Sequence, residues 1–326
     1  MSTRSIKTTI TVVILLASMI GCGKSESTNT LVPPTATPTS PTHTPVLPTA
    51  TEHSPETLPP PTAAVEPTTT PRPKIKGRID IGSHELFIHC VGTGAPTVIL
   101  EAGWNDVGDT WSLVQPEVAE FTRACSYDRA GLGNSSEPGS MPRTMQQVVT
   151  ELNTLLEKAG IEGPYILVGH SLGGLYMRLY ADRYQPDVVG LVLVDSAHPD
   201  SFRRSLAILP PESPDDGESL KFYRDWFTNS MDDPTLKLEP ELLEAGSLGD
   251  MPLAVLTVPY KKRADDFPVE LSAQFDQIWV ELHKELAQLS SNSTHIMVED
   301  SSHFIQHDQP DLVVEVIFQM LEQVRR

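Results

Sequence analysis

The sequence predicts an α/β domain built on a mostly parallel sheet, and three observations point there. Beyond residue 75, short apolar runs alternate with stretches whose apolar residues recur at helical spacing. One run, Val188 to Val194, is almost continuously apolar, as suits a strand covered by helices on both faces. The 251 residues from 76 to 326 are enough to bury one substantial core.

The elements follow in order. Ile79 to Ile81 and Glu85 to Cys90 read as two short strands joined by a turn at Gly82, Ser83 and His84. Pro96 to Leu100 is a buried strand ending near Glu101, and residues 110–120 read as a helix. Ala124 to Asp128 is another strand, followed by a turn around Gly131 and Gly133. Between Met145 and Ala159, the residues Val148, Val149, Leu152, Leu155 and Leu156 share one helical face. Tyr165 to Val168 is a buried strand, and Leu172 to Tyr184 is a helix stopped ahead of Pro186. Met251 to Val258 and His295 to Val298 complete the strands, and Leu312 to Val324 forms an amphipathic helix. Residues 198–250 interrupt the rhythm. They are acidic, broken by Pro210, Pro211, Pro214 and Pro234, with helices expected around Leu220 to Trp226 and Pro240 to Leu243. An insertion of that length reads as a lid or cap.

Gly169-His170-Ser171-Leu172-Gly173 sits between a strand and a helix. A serine nucleophile needs its hydroxyl presented on a sharp strand-to-helix turn, with neighbours too close to tolerate side chains. Gly169 and Gly173 leave that room, and the helix N-terminus below Ser171 favours developing negative charge. The five-residue pattern alone arises by chance about 0.1 times in a chain of this length, so its placement carries the argument. Gly246 to Gly249 has the wrong spacing and no strand before it.

With Tyr127-Asp128-Arg129-Ala130-Gly131-Leu132-Gly133, Leu191 to Asp195 and Ser302-His303-Phe304 added, the chain resembles the α/β-hydrolase superfamily over roughly residues 76–326. The resemblance implies an eight-stranded, mostly parallel sheet in the order 1-2-4-3-5-6-7-8, and a triad in chain order Ser, acid, His. It makes Ser171 the nucleophile and His303, in a polar loop after the last strand, the base that a serine hydroxyl needs at neutral pH. His307 is the nearest competitor, with an alternative reading as an exposed or helix-capping residue. His43 and His53 lie in a Thr/Pro-rich segment, His170 points away, and His295 starts the last strand at the wrong end of the sheet.

The acid has more than one candidate. The family's usual position, three or four residues beyond Val258, reads Pro259-Tyr260-Lys261-Lys262-Arg263 and holds no carboxylate. Some members, certain haloalkane dehalogenases among them, take the acid from the end of the preceding strand, where Asp195 stands. Asp265 and Asp266 remain alternatives, and Asp195 has a second reading as a strand-end residue bonded to loop amides. The backbone amides of Leu172 and Trp104 are expected to hold the oxyanion. The family often has His-Gly where this chain has Ala102-Gly103-Trp104, and the Trp104 indole would also wall an acyl pocket. The second and fourth strands are neighbours in the family's sheet, which implies a Cys90–Cys125 disulfide, the alternative being two buried thiols. Leu206, Ile208, Leu209, Phe222, Trp226 and Phe227 line an acyl pocket or form the insertion's own small core.

The implied activity is a serine hydrolase acting on a carboxylic ester through an acyl-enzyme, with a small-molecule substrate and no metal or organic cofactor. An amidase or lactonase would use the same parts. The contrasting reading is a tethered, non-catalytic binding protein on the same fold.

The first 75 residues read as an address. Arg4 and Lys7 precede an apolar stretch from about Thr8 to Ile20, shorter than the roughly 20 residues a bilayer span needs and suited to a signal peptide. Ser18-Met19-Ile20-Gly21-Cys22 resembles a bacterial lipobox, with Met19 where Leu is usual. Residues 1–21 are therefore expected to be a lipoprotein-type signal peptide, and Cys22 the lipidated N-terminus of an exported, membrane-anchored protein. Residues 22–75 are expected to be a disordered tether, because residues 24–75 hold 13 of the 29 Pro and 14 Thr and little apolar surface to bury. The chain carries a formal charge of −19, and residues 76–326 hold 19 Lys and Arg against 39 Asp and Glu. That balance argues against nucleic acid as a partner and disfavours polyanionic substrates. Three Cys exclude a disulfide scaffold and a Cys-rich zinc module.

Overall fold

In a computed structural model the described residues are 75–233, 236, 247–259, 261 and 263–326. The leader, Cys22, the tether as far as residue 74 and the helix expected at Pro240 to Leu243 lie outside them, while Ile75, expected as the tether's end, opens the first strand.

Two antiparallel strands, β1 (Ile75–Asp80) and β2 (Glu85–Val91), open the domain. Their turn uses Gly82 at a φ of 101°, with the Gly82 amide donating 2.7 Å to Asp80 Oδ1. β2 then pairs antiparallel with β4 (Ala124–Tyr127). The remaining strands are parallel: β3 (Thr97–Glu101), β5 (Tyr165–His170), β6 (Val188–Val194), β7 (Leu253–Thr257) and β8 (Ser293–Met297). The spatial order is β1-β2-β4-β3-β5-β6-β7-β8, an α/β-hydrolase sheet. Cys90 and Cys125 face each other across β2 and β4 and are joined in a disulfide, with Cα atoms 4.1 Å apart. Closing the loop between them adds on the order of 3–4 kcal/mol by the entropic argument.

Alternation along the strands divides the core into two faces. Ile99, Leu167, Leu191 and Leu193 pack on one side with α2 (Met145–Lys158) and α3 (Leu172–Arg183). Val98, Leu100, Ile166, Val168, Val192 and Val194 pack on the other with α1 (Gln115–Val118) and α8 (Pro310–Val324). α2 starts in a reciprocal cap: Thr144 accepts from the Gln147 amide while the Gln147 side chain accepts from the Thr144 amide.

Four features depart from the sequence reading. The helix expected over 110–120 is split into a 3₁₀ turn at Gly108–Trp111 and α1. Pro116 has no N–H to bond back to the preceding turn, so a continuous helix cannot run through it. Between β6 and β7, α4 (Ser201–Ile208) precedes the expected helix, which is α5 (Glu218–Asp232). A 19-residue helix, α6 (Val269–Ala287), lies between β7 and β8, where the sequence reading has no element. Its signal was there: Leu271, Phe275, Leu282 and Leu286 are buried at helical spacing behind Pro268. Finally, His295 lies mid-strand opposite Val255, its Nε2 2.8 Å from Thr257 Oγ1. α7 (Ile305–Asp308) is one short turn ahead of α8.

The insertion has its own apolar cluster. Leu209, Leu220 and Phe227 bury against Phe267, Leu271 and Phe275 around the start of α6, with Leu206, Ile208 and Trp226 packed alongside. Of the residues considered for an acyl pocket, Phe222 instead stays exposed. No helix among the described residues is long and apolar enough to cross a membrane.

Candidate active site

Parallel strands deliver their following loops to one edge of the sheet, where α/β domains bind ligands. Among the described residues three non-glycine residues have positive φ: Asn105 at 53°, Ser171 at 52° and Asp195 at 40°. Each lies in the segment following β3, β5 or β6, so the backbone strain is concentrated on this edge.

Ser171 sits between β5 and α3 in a turn that only glycines permit. A Cβ on Gly169 would lie 2.6 Å from the Gly173 carbonyl oxygen, and one on Gly173 would lie 2.6 Å from the Ala102 carbonyl oxygen. The turn is also tied to β6, since the Ser171 amide donates 3.1 Å to the Val194 carbonyl and the Ser171 carbonyl accepts from the Ala197 amide at 2.9 Å. Leu172 is the first residue of α3, where an amide has no intrahelical acceptor. The 101–105 loop crosses the turn: a Cβ on Gly103 would lie 3.3 Å from Ser171 Cβ. Arg129 holds that loop from below, donating to the Ala102 carbonyl at 2.7 Å and to the Gly103 carbonyl, and pairing with the fully buried Glu101. Tyr127 donates to the same carboxylate. The Trp104 indole is exposed and stacks on Trp226 of α5, ring centroids 6.5 Å apart.

His303 Nε2 is 2.9 Å from Ser171 Oγ, and His303 Nδ1 is 2.6 Å from Asp195 Oδ2. Asp195 is completely buried. Burial alone would raise its carboxyl, but the Lys261 cation and the hydrogen bond from His303 outweigh that and hold it well below the usual carboxylate range. An ionised Asp195 accepts the Nδ1–H, leaving Nε2 to accept the serine proton. The other carboxylate oxygen, Oδ1, accepts from the Val258 amide at 3.0 Å and from Trp279 Nε1 at 2.8 Å. Both sequence readings of Asp195 therefore describe it: it anchors loop amides and it faces the imidazole.

The same oxygen that meets His303 also meets Lys261, whose Nζ is 2.9 Å from Asp195 Oδ2 and 3.4 Å from the centre of the Trp279 ring. Burial lowers the Lys261 ammonium from its ordinary value, opposed by Asp195. Burial, then the Lys261 cation, lowers the His303 imidazole, and Asp195 opposes both. His283 from α6 lies behind, its Nε2 3.8 Å from Asp195 Oδ1 and its Nδ1–H given to the Trp279 carbonyl at 2.8 Å.

The other candidates are elsewhere. Asp266 accepts from the Ser219 amide at 3.0 Å at the start of α5, and Asp265 is exposed, so neither faces His303. His307 turns to Thr110, 2.9 Å from its Oγ1, and is exposed at the end of α7. His170 does not point away from the site as expected. It donates its Nε2–H to the His303 carbonyl at 2.9 Å, and burial pushes it down to about 3. Lys261, Trp279, His283, Arg129 and Glu101 carried no role in the sequence reading. Among the described residues no group of three or more His, Cys, Asp or Glu side chains is disposed to hold a metal ion.

The strand order, with a Ser–His–carboxylate row at the carboxyl edge of the sheet, is that of the α/β-hydrolase fold. The model of the alpha/beta hydrolase family matches residues 86–316, and the chain belongs to that family. Its relatives include the uncharacterized protein YqjL of Bacillus subtilis, 31% identical over 71% of this chain and 85% of YqjL. The putative carbamate hydrolase RutD of Klebsiella pneumoniae is 36% identical over 31% of this chain and 38% of its own length. Several other curated relatives are likewise matched over only 18–32% of their lengths. Among solved structures, a thermophilic esterase from Thermogutta terrifontis superposes with a TM-score of 0.53 at 19% identity, covering 77% of this chain and all of that one, which is a likeness of fold.

Proposed function

We propose that this hydrolase is a serine esterase that cleaves small carboxylic esters through an acyl-enzyme. One observation carries the reading: His303 lies 2.9 Å from the Ser171 hydroxyl and 2.6 Å from the Asp195 carboxylate. Ser171 attacks the acyl carbon as His303 Nε2 takes its proton. The proton then passes to the leaving alkoxide; His303 next draws a proton from the water that attacks the acyl-enzyme and returns it to Ser171 Oγ as the acid is released. Asp195 keeps the imidazole in the Nδ1–H tautomer and stabilises its cation. The amides of Leu172 and Trp104 hold the oxyanion. The esterase name of the Thermogutta protein agrees with this reading. α4 and α5 form the cap that shapes the acyl side, with Trp104 and Trp226 at its edge.

A fluorophosphonate probe tests it. The wild type should label and Ser171→Ala should not; a folded wild type that stays unlabelled would sink the enzyme in favour of a binding protein. p-Nitrophenyl esters of increasing chain length, set beside the matching anilides, separate an esterase from an amidase.

The exported, lipid-anchored location is part of the same proposal. The lipobox-like Ser18 to Cys22 and the Cys90–Cys125 disulfide, a bond that persists in oxidising compartments, support it. Globomycin should then cause a larger precursor to accumulate, and a Cys22→Ala protein still anchored by lipid would contradict the claim.

A further inference from the structure

The position where the family usually carries its acid holds a cation here, and that cation reaches the triad. Asp195 Oδ1 is already committed to the Val258 amide and Trp279. Two donors are left to share Oδ2: His303 Nδ1 at 2.6 Å and Lys261 Nζ at 2.9 Å. Those two nitrogens are 3.3 Å apart. The Trp279 ring under Lys261 holds the ammonium in place by a cation–π contact.

We infer that the Lys261 ammonium competes with the His303 imidazolium for Asp195 and thereby sets the acid limit of the hydrolase reaction. With Lys261 charged, protonating His303 places two cations on one carboxylate oxygen. Without it, the imidazolium and Asp195 form a simple pair. The remaining groups around the imidazole do not supply this effect. His170, the last residue of β5, gives its Nε2–H to the His303 carbonyl and is neutral. His283 of α6 is held neutral by burial, down to about 4, and faces Oδ1. Arg263 is paired with Asp276 at 2.8 Å. His307 of α7 is turned to Thr110. Lys261 is thus a positioning residue acting through His303, and it keeps the base free of a proton in mildly acidic solution.

The inference rests on the serine-hydrolase reading, so the test reads both separately. The pH dependence of fluorophosphonate labelling of Ser171 and the ¹⁵N-imidazole titration of His303 would be measured in wild type, Lys261→Met, Lys261→Gln and Lys261→Arg. Loss of the cation in the Met and Gln proteins should raise the acid midpoint by about one pH unit in both measurements, a tenfold slower labelling below the midpoint. Arg should keep the wild-type midpoint. Met and Gln proteins that share the wild-type midpoint while labelling normally overturn the Lys261 inference alone. A folded wild type that does not label overturns the hydrolase reading, and the acid-limit claim with it.

Discussion

The two sides of the Ser171–His303–Asp195 row are built differently. The nucleophile side is local: one strand, one turn and one helix, with glycines at 169 and 173 letting the backbone close. The acid side is assembled from distant pieces. Asp195 follows β6, Val258 and Lys261 follow β7, and Trp279 and His283 come from α6. A steric device holds the first side and an electrostatic one the second. The nucleophile side should therefore fail by losing stability, and the acid side by losing rate while the protein stays folded.

Asp195→Asn should have the largest effect. The fold survives, but the amide no longer selects the correct imidazole tautomer, and kcat should fall by about 10⁴-fold. A loss under tenfold in steady-state assays would show that the acid side matters less than its geometry implies. Gly173→Ala attacks the opposite side. Its Cβ would press on the Ala102 carbonyl at 2.6 Å and the Glu101 carbonyl at 2.7 Å, backbone that cannot move aside. Denaturant unfolding should show a loss of about 3 kcal/mol, and an unchanged midpoint would break the steric account. Trp279→Phe keeps an aromatic face beside Lys261 but removes the N–H given to Asp195 Oδ1. A lost hydrogen bond to a charged group should lower kcat by about tenfold with KM little changed.

The smallest effect expected is on stability against pH. Burial holds His283 at about 4 in the folded protein against an ordinary 6.5. The unfolded chain therefore binds the extra proton first, and stability falls as pH drops below 6.5 toward 4. At pH 5.5 His283 should account for about 1 kcal/mol, or roughly 2–4 °C in Tm. His283→Gln, which cannot take the proton, should flatten that part of the Tm profile, and a profile identical to wild type would remove His283 from the account.

The fold was largely legible because its signals are short-range. Val188 to Val194 reads as a buried strand from its own residues, and Val148, Val149, Leu152, Leu155 and Leu156 mark one helical face within nine positions. Where a local signal competed with another, the reading slipped. Pro116 divided the helix expected at 110–120, and the spacing of Leu271, Phe275, Leu282 and Leu286 is masked by the prolines and charges between Pro259 and Pro268 that precede it. Missing α6 also hid Trp279 and His283. Asp195 and His303 were candidates on sequence grounds, and the structure brings them together across 108 positions.

By itself the sequence determined most of the strand and helix pattern and the glycine-flanked serine turn, because each depends on residues a few positions apart, while the family resemblance supplied His303 as the candidate imidazole. Which carboxylate meets that imidazole, and that a lysine shares it, was decided only when β6, β7 and α6 came side by side. Charge interactions act through space between groups the chain keeps far apart, so no stretch of residues read alone contains them.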